Sequence, residues 1–98
     1  MNDQELVGAL QASGCVTEEN VARWREAAAL MATLDAIGRD GMTAVVKIDG
    51  GRPDAIYTVL VSGSQLGESF FRKDGNDPLV LLRDAINFYK AEVWSKRL

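Results

Sequence analysis

Apolar residues at helical spacing open the chain. Leu6, Val7 and Leu10 share one face of a segment running from about Asp3 to Ala12. Ser13-Gly14 ends it, because glycine adopts the left-handed turn that stops a helix at little cost. Thr17 reads as the N-cap of a second helix, with Glu18 and Glu19 in its first turn, where acids complement the helix dipole. Val21, Trp24, Ala28 and Met31 form one apolar stripe along this helix. Ala27, Leu30, Leu34 and Ile37 form a second beside it, and Gly38 to Gly41 closes the element.

The period changes at Met42. Thr43 to Ile48 is β-branched and strand-like, and Asp49-Gly50-Gly51-Arg52-Pro53-Asp54 has loop chemistry. Ala55 to Val61 predicts a second strand in which neither alternating face is plainly polar, as expected of the central strand of a sheet. Ser62-Gly63-Ser64-Gln65 reads as a hairpin turn and Leu66 to Arg72 as the third strand, with Gly67 marking a bulge or an edge. A polar connection from Arg72 to Asp77 leads into the last helix. Asp77 is its N-cap and Pro78 its first residue, where the missing N–H costs nothing. Leu79, Leu82, Ile86, Tyr89 and Val93 then repeat at 3-4-3-4 spacing. The fold class is α+β, in the order α-α-β-β-β-α: two N-terminal helices, a three-stranded antiparallel β-meander and a C-terminal amphipathic helix, with the helices on one face of the sheet.

Ninety-eight residues make one domain, residues 1–98, with no room for a second core. The net charge is −3, and it is unevenly placed. Residues 1–41 carry seven acids against three bases, and residues 42–98 carry seven against eight. This gives an acidic helical front, a balance that disfavours general affinity for phosphate backbones or anionic membranes. The single cysteine, Cys15, allows no intrachain disulfide and fits a reducing compartment. No apolar run is long enough to span a bilayer and the N-terminus is acidic where a secretory signal is basic, so cytoplasmic residence is the expectation.

Candidate chemistry is sparse. Without histidine the chain lacks the usual general base and the commonest metal ligand, and histidine-dependent triads are excluded. Val61-Ser62-Gly63-Ser64 lacks the glycine spacing of a nucleophile elbow, and neither glycine cluster leads into a phosphate loop. Asp74, Asn76 and Asp77 have the oxygen ligands of a calcium loop but not its remaining positions, and a turn with a helix cap accounts for them. The expectation is a non-enzymatic protein with no cofactor and no metal site.

What remains is a surplus of apolar surface. Beyond its core stripe the last helix also carries Val80, Leu81, Phe88 and Trp94. Adjacent Phe70 and Phe71 point to opposite sides of a strand, so one of them leaves the helix-covered face. Either the two N-terminal helices cover this surplus or it marks an interface, with a homodimer or with another protein. The candidate partner-binding residues are Glu19, Arg23 and Glu26 on the acidic front, and Phe70, Phe71, Phe88 and Trp94 in the apolar surplus.

Two resemblances bear on the partner. The helix–strand–strand–strand–helix order resembles a double-stranded-RNA-binding domain, a family that sets a lysine cluster at the start of its final helix to straddle phosphates. Here that position reads Asp77-Pro78-Leu79-Val80-Leu81-Leu82 with Arg83 the only base, so direct nucleic-acid binding is the weaker reading. The hairpin Tyr57 to Phe71, followed by Gly75-Asn76-Asp77-Pro78 and an amphipathic helix, in an acidic chain of this length, resembles small phage anti-CRISPR proteins and bacterial toxin-immunity proteins. That resemblance implies an inhibitor whose acidic face engages a nucleic-acid-handling protein, a nuclease or a CRISPR effector. It transfers no functional residue.

Overall fold

A computed structural model describes residues 2–97 of the chain. Helix α1 spans Asp3–Ala12, α2 spans Val21–Arg39 and α3 spans Pro78–Glu92. Strands β1 (Thr43–Ile48), β2 (Tyr57–Ser62) and β3 (Phe71–Gly75) form one antiparallel sheet in the order β1-β2-β3, so β2 is central as its two-sided apolar pattern predicts. The register sets Val45 opposite Leu60, and Leu60 opposite Arg72. The fold is α+β with the expected α-α-β-β-β-α order.

Helices α2 and α3 pack against each other and against one face of the sheet. The core between these layers contains Ala27, Leu34 and Ile37 from α2, Val59 and Val61 from β2, and Leu79, Leu81, Leu82, Ala85 and Tyr89 from α3. Ile86 is only half-buried at its edge. Of the two stripes on α2, the Ala27–Ile37 stripe faces this core, whereas Trp24, Ala28 and Met31 remain exposed. Helix α1 takes no part: its apolar residues Leu6, Val7 and Leu10 are all exposed. The expectation that both N-terminal helices cover the sheet and α3 therefore holds for α2 alone. The Cα radius of gyration is 15.3 Å, against roughly 13 Å for a compact chain of this length.

Four local expectations shift. Thr17 and Asn20 cap each other reciprocally, Thr17 N–H donating to Asn20 Oδ1 at 2.7 Å and Asn20 N–H to Thr17 Oγ1 at 3.2 Å. This box forms a separate turn, so α2 starts at Val21 and Glu18 and Glu19 precede it. Strand β2 starts at Tyr57, two residues late, because Ala55 has a φ of 51°. The hairpin connection is longer than a four-residue turn. Gly63 (φ 140°) enters a 3-10 turn at Ser64–Leu66 and Gly67 (φ 60°) leaves it. At Gly63 a Cβ would lie 2.9 Å from Met42 Sδ, so glycine is required there. Strand β3 consequently runs over Phe71–Gly75 and not Leu66–Arg72. Its charges are tolerable because they have partners: Lys73 Nζ lies 2.6 Å from Asp84 of α3, and Arg72 and Asp74 face away from the helices.

Candidate functional site

The seven candidate residues do not converge on one site. On α2, Arg23 is spent on an ion pair with Asp77, the N-cap of α3, its Nη2 donating to both carboxylate oxygens at 2.7 Å. Glu26, one turn along, pairs with Arg83 of α3. Both pairs bridge α2 to α3, and the Arg23 contact holds the Asp77 carboxyl below the usual range. Asp77 also accepts the Leu79 N–H at 3.0 Å, Asn76 holds the Ala55 N–H and the Asp54 carboxylate, and Asp74 accepts from the Thr58 hydroxyl. The side chains that a calcium loop would have drawn together thus serve caps and cross-strand ties. Glu19 is exposed on the turn before α2.

The aromatic candidates divide. Phe71 and Phe88 pack together, centroids 5.7 Å apart, at the margin of the core. Trp94 meets the buried Tyr89 edge-on at 5.2 Å. Its indole N–H and the Tyr89 hydroxyl both donate to Asp40 Oδ2, each at 2.9 Å, with Arg97 at 3.3 Å from the same oxygen. Asp40 caps the C-terminus of α2, where the helix dipole disfavours an anion, and these donors compensate. The Trp94 and Tyr89 bonds lower the Asp40 pKa, while burial, reinforced by the Asp40 carboxylate, pushes the Tyr89 phenol up to about 12. Phe70 alone projects outward, 60% exposed, just before β3.

The surface that sequence reasoning passed over lies at the N-terminal end. Asn2 caps α1 through its side chain, 2.8 Å from the Glu5 N–H, yet among the described residues no element covers Leu6, Val7 and Leu10, which are all exposed. The connecting turn is fixed: the Cys15 carbonyl accepts the Trp24 indole N–H and the Asn20 side-chain amide, both at 3.1 Å. Trp24 stays 41% exposed beside a shallow pocket of 130 Å³ bordered by Arg23, Tyr57 and Leu79. Residues 1–22 carry four acids (Asp3, Glu5, Glu18 and Glu19) and no base, while the rest of the chain carries ten acids against eleven bases. The net negative charge therefore belongs to α1 and the turn. The periodic apolar pattern of α1 was visible in the sequence. Only the packing reveals that nothing consumes it.

A second depression, an open cleft of 630 Å³, separates the C-terminal half of α2 from β1; Met31, Leu34, Met42, Ala44 and Val46 line it. Its charged rim residues Asp35 and Arg39 pair with each other at 2.7 Å. Among the described residues no group of three Cys, Asp or Glu side chains is placed to hold a metal ion, and no helix is long and apolar enough to cross a membrane. Comparison with family models, with curated proteins and with solved structures finds no significant match.

Proposed function

We propose that this protein is a non-catalytic binding domain that engages another protein through α1 and the acid-flanked turn behind it, and that it acts as an inhibitor of a nucleic-acid-handling protein. The uncovered stripe of α1 is the observation that carries the reading. A ten-residue helix with a glycine at position 8 is marginal in water by itself. Helices of this length are stabilised by packing an apolar face, and the Leu6, Val7 and Leu10 face has no partner within the described chain. The four acids and absent bases of residues 1–22 suit a target whose docking surface is apolar at its centre and basic around it, as on proteins that hold nucleic acid. Glu19 belongs to this surface. Glu26 and Arg23, committed to α3, stiffen the platform behind it.

The layering of α2-β1-β2-β3-α3, with both helices on one sheet face, supports a second reading as an RNA-binding domain. The start of α3 argues against it, since Asp77 sits there as cap and ion-pair partner. The test is recovery of partners on the tagged full chain in extracts of its native host, comparing wild type with Leu6→Asp/Leu10→Asp. The expected result is one stoichiometric protein that the variant loses while its unfolding curve stays within about 0.5 kcal/mol of wild type. Added wild-type protein should lower that partner's activity on nucleic acid. A variant that keeps the partner, or a wild type that retains duplex RNA tightly with steep salt dependence, overturns the proposal.

A further inference from the structure

The sheet has two free edges, and they differ. Strand β3 presents Arg72, Lys73 and Asp74 along its length, the charged edge that blocks pairing with foreign strands. Strand β1, Thr-Ala-Val-Val-Lys-Ile, carries one charge and no proline, and pairs with β2 on one side only. Asp49, next in line, donates its N–H to Ile56 O at 2.7 Å. Because donors alternate along an antiparallel strand, residues 43, 45 and 47 also turn their backbone groups toward β2. Ala44, Val46 and Ile48 are left with N–H and C=O directed outward from the sheet. The cleft runs beside this edge, with Ala44 and Val46 on its strand wall and Leu34 and Met31 on its helix wall.

We infer that β1 pairs with β1 of a second copy of this chain, antiparallel about a two-fold axis, to make a continuous six-stranded sheet. Strand β1 is complementary to itself in this arrangement. Side chains alternate, so Ile48 lies on the same side of the sheet as Ala44 and Val46. It is nevertheless 68% exposed, the most exposed large hydrophobic residue among those described. With Val46 opposite its own symmetry mate, the second copy's Ile48 falls opposite Ala44, the smallest side chain on the strand wall of the cleft. On the other face Val45, itself exposed, meets the alkyl stem of Lys47. All three outward-facing residues of each strand then find backbone partners. The cleft rim offers one acid and one base, Asp35 and Arg39, so a second copy meets no net charge there. A six-residue seam is small for an interface, and association in the micromolar range is the expected strength. The inference is independent of the reading of α1, which lies on a different element.

Sedimentation equilibrium on the full chain from about 1 to about 500 μM tests it, with hydrogen exchange recorded at both ends of the range. Wild type is expected to pass from monomer to dimer, with slowed exchange at Ala44, Val46 and Ile48 in the dimer. Ile48→Lys, on an exposed side chain that does not endanger folding, is expected to weaken the dimer at least about tenfold. Val46→Pro, which removes an outward N–H, should abolish it. A wild type that stays monomeric throughout, a dimer that Ile48→Lys leaves unchanged, or a dimer in which the three amides exchange as in the monomer would each overturn the inference.

Discussion

Replacing Tyr89 by phenylalanine tests whether α3 and the segment after it are locked to α2 by a polar contact as well as by packing. The ring is fully buried, and its edge-on contact with Trp94 at 5.2 Å survives the change. Only the hydroxyl, 2.9 Å from Asp40 Oδ2, is lost. A hydrogen bond to a charged acceptor contributes about 1.5–3 kcal/mol. Asp40 keeps Trp94 and Arg97 as donors, so the lower part of that range applies, about 1.5–2 kcal/mol. For a domain of this size that is a fall in melting temperature of roughly 6–16 °C. The pH dependence makes the prediction specific. Tyrosine in the unfolded chain ionises near pH 10, and Tyr89 in the folded chain at about 12. Between those values the unfolded state releases a proton that the native state retains, so the Tyr89 contribution is complete below about pH 10 and declines as pH rises toward 12. Urea unfolding of wild type and Tyr89→Phe at intervals from neutral to alkaline pH isolates this contribution as the difference between the two proteins. Equal stabilities at neutral pH, or a difference that does not shrink across the alkaline window, would refute the reasoning.

Two further predictions concern packing. Leu82 is buried and Ile86 only half-buried on the same helix, so Leu82→Ala should cost about 3–4 kcal/mol and Ile86→Ala about 1–2 kcal/mol in urea unfolding. Equal losses would mean that Ile86 is covered by something else. Gly63→Ala should destabilise by about 1–3 kcal/mol, because φ is 140° and the new Cβ meets Met42 Sδ at 2.9 Å and Met42 Cα at 3.3 Å. An unchanged melting curve would show that the turn relaxes freely.

The last helix was legible from end to end, because Asp77, Pro78 and the Leu79–Val93 spacing are local signals and the structure uses each of them. The central strand was legible for the same reason, two apolar faces in one short run. Strand β3 was not. Leu66, Phe70 and Phe71 drew the expectation toward the apolar side, whereas the chain spends Leu66 on closing a 3-10 turn and pairs the charged run 71–75 instead. Hydrophobicity says what should be covered, but at a sheet edge it does not say which backbone is paired. The Asp40 cluster was beyond reach for another reason. Its donors Tyr89, Trp94 and Arg97 lie 49 or more residues away, and nothing near Asp40 announces them. The candidate site was visible as a surplus of apolar residues. The packing then absorbed Phe71 and Trp94, set Phe88 against Phe71, and left Phe70 and Val80 outside, together with Leu6, Val7 and Leu10 of α1.

The Asp40 cluster also sets an order of events during synthesis. Helix α2 is translated early, but the groups that neutralise its C-terminal carboxylate lie between residues 89 and 97. A nascent chain that has emerged only as far as the sheet holds Asp40 against the helix dipole with none of its three donors, and it lacks α3, which supplies much of the core. Native contacts across about half the chain or more must close before the early part gains from them, which delays its folding until α3 and the segment after it have been made. During that interval the segment Thr43–Ile48, apolar but for one lysine, is exposed without the strand that will pair it.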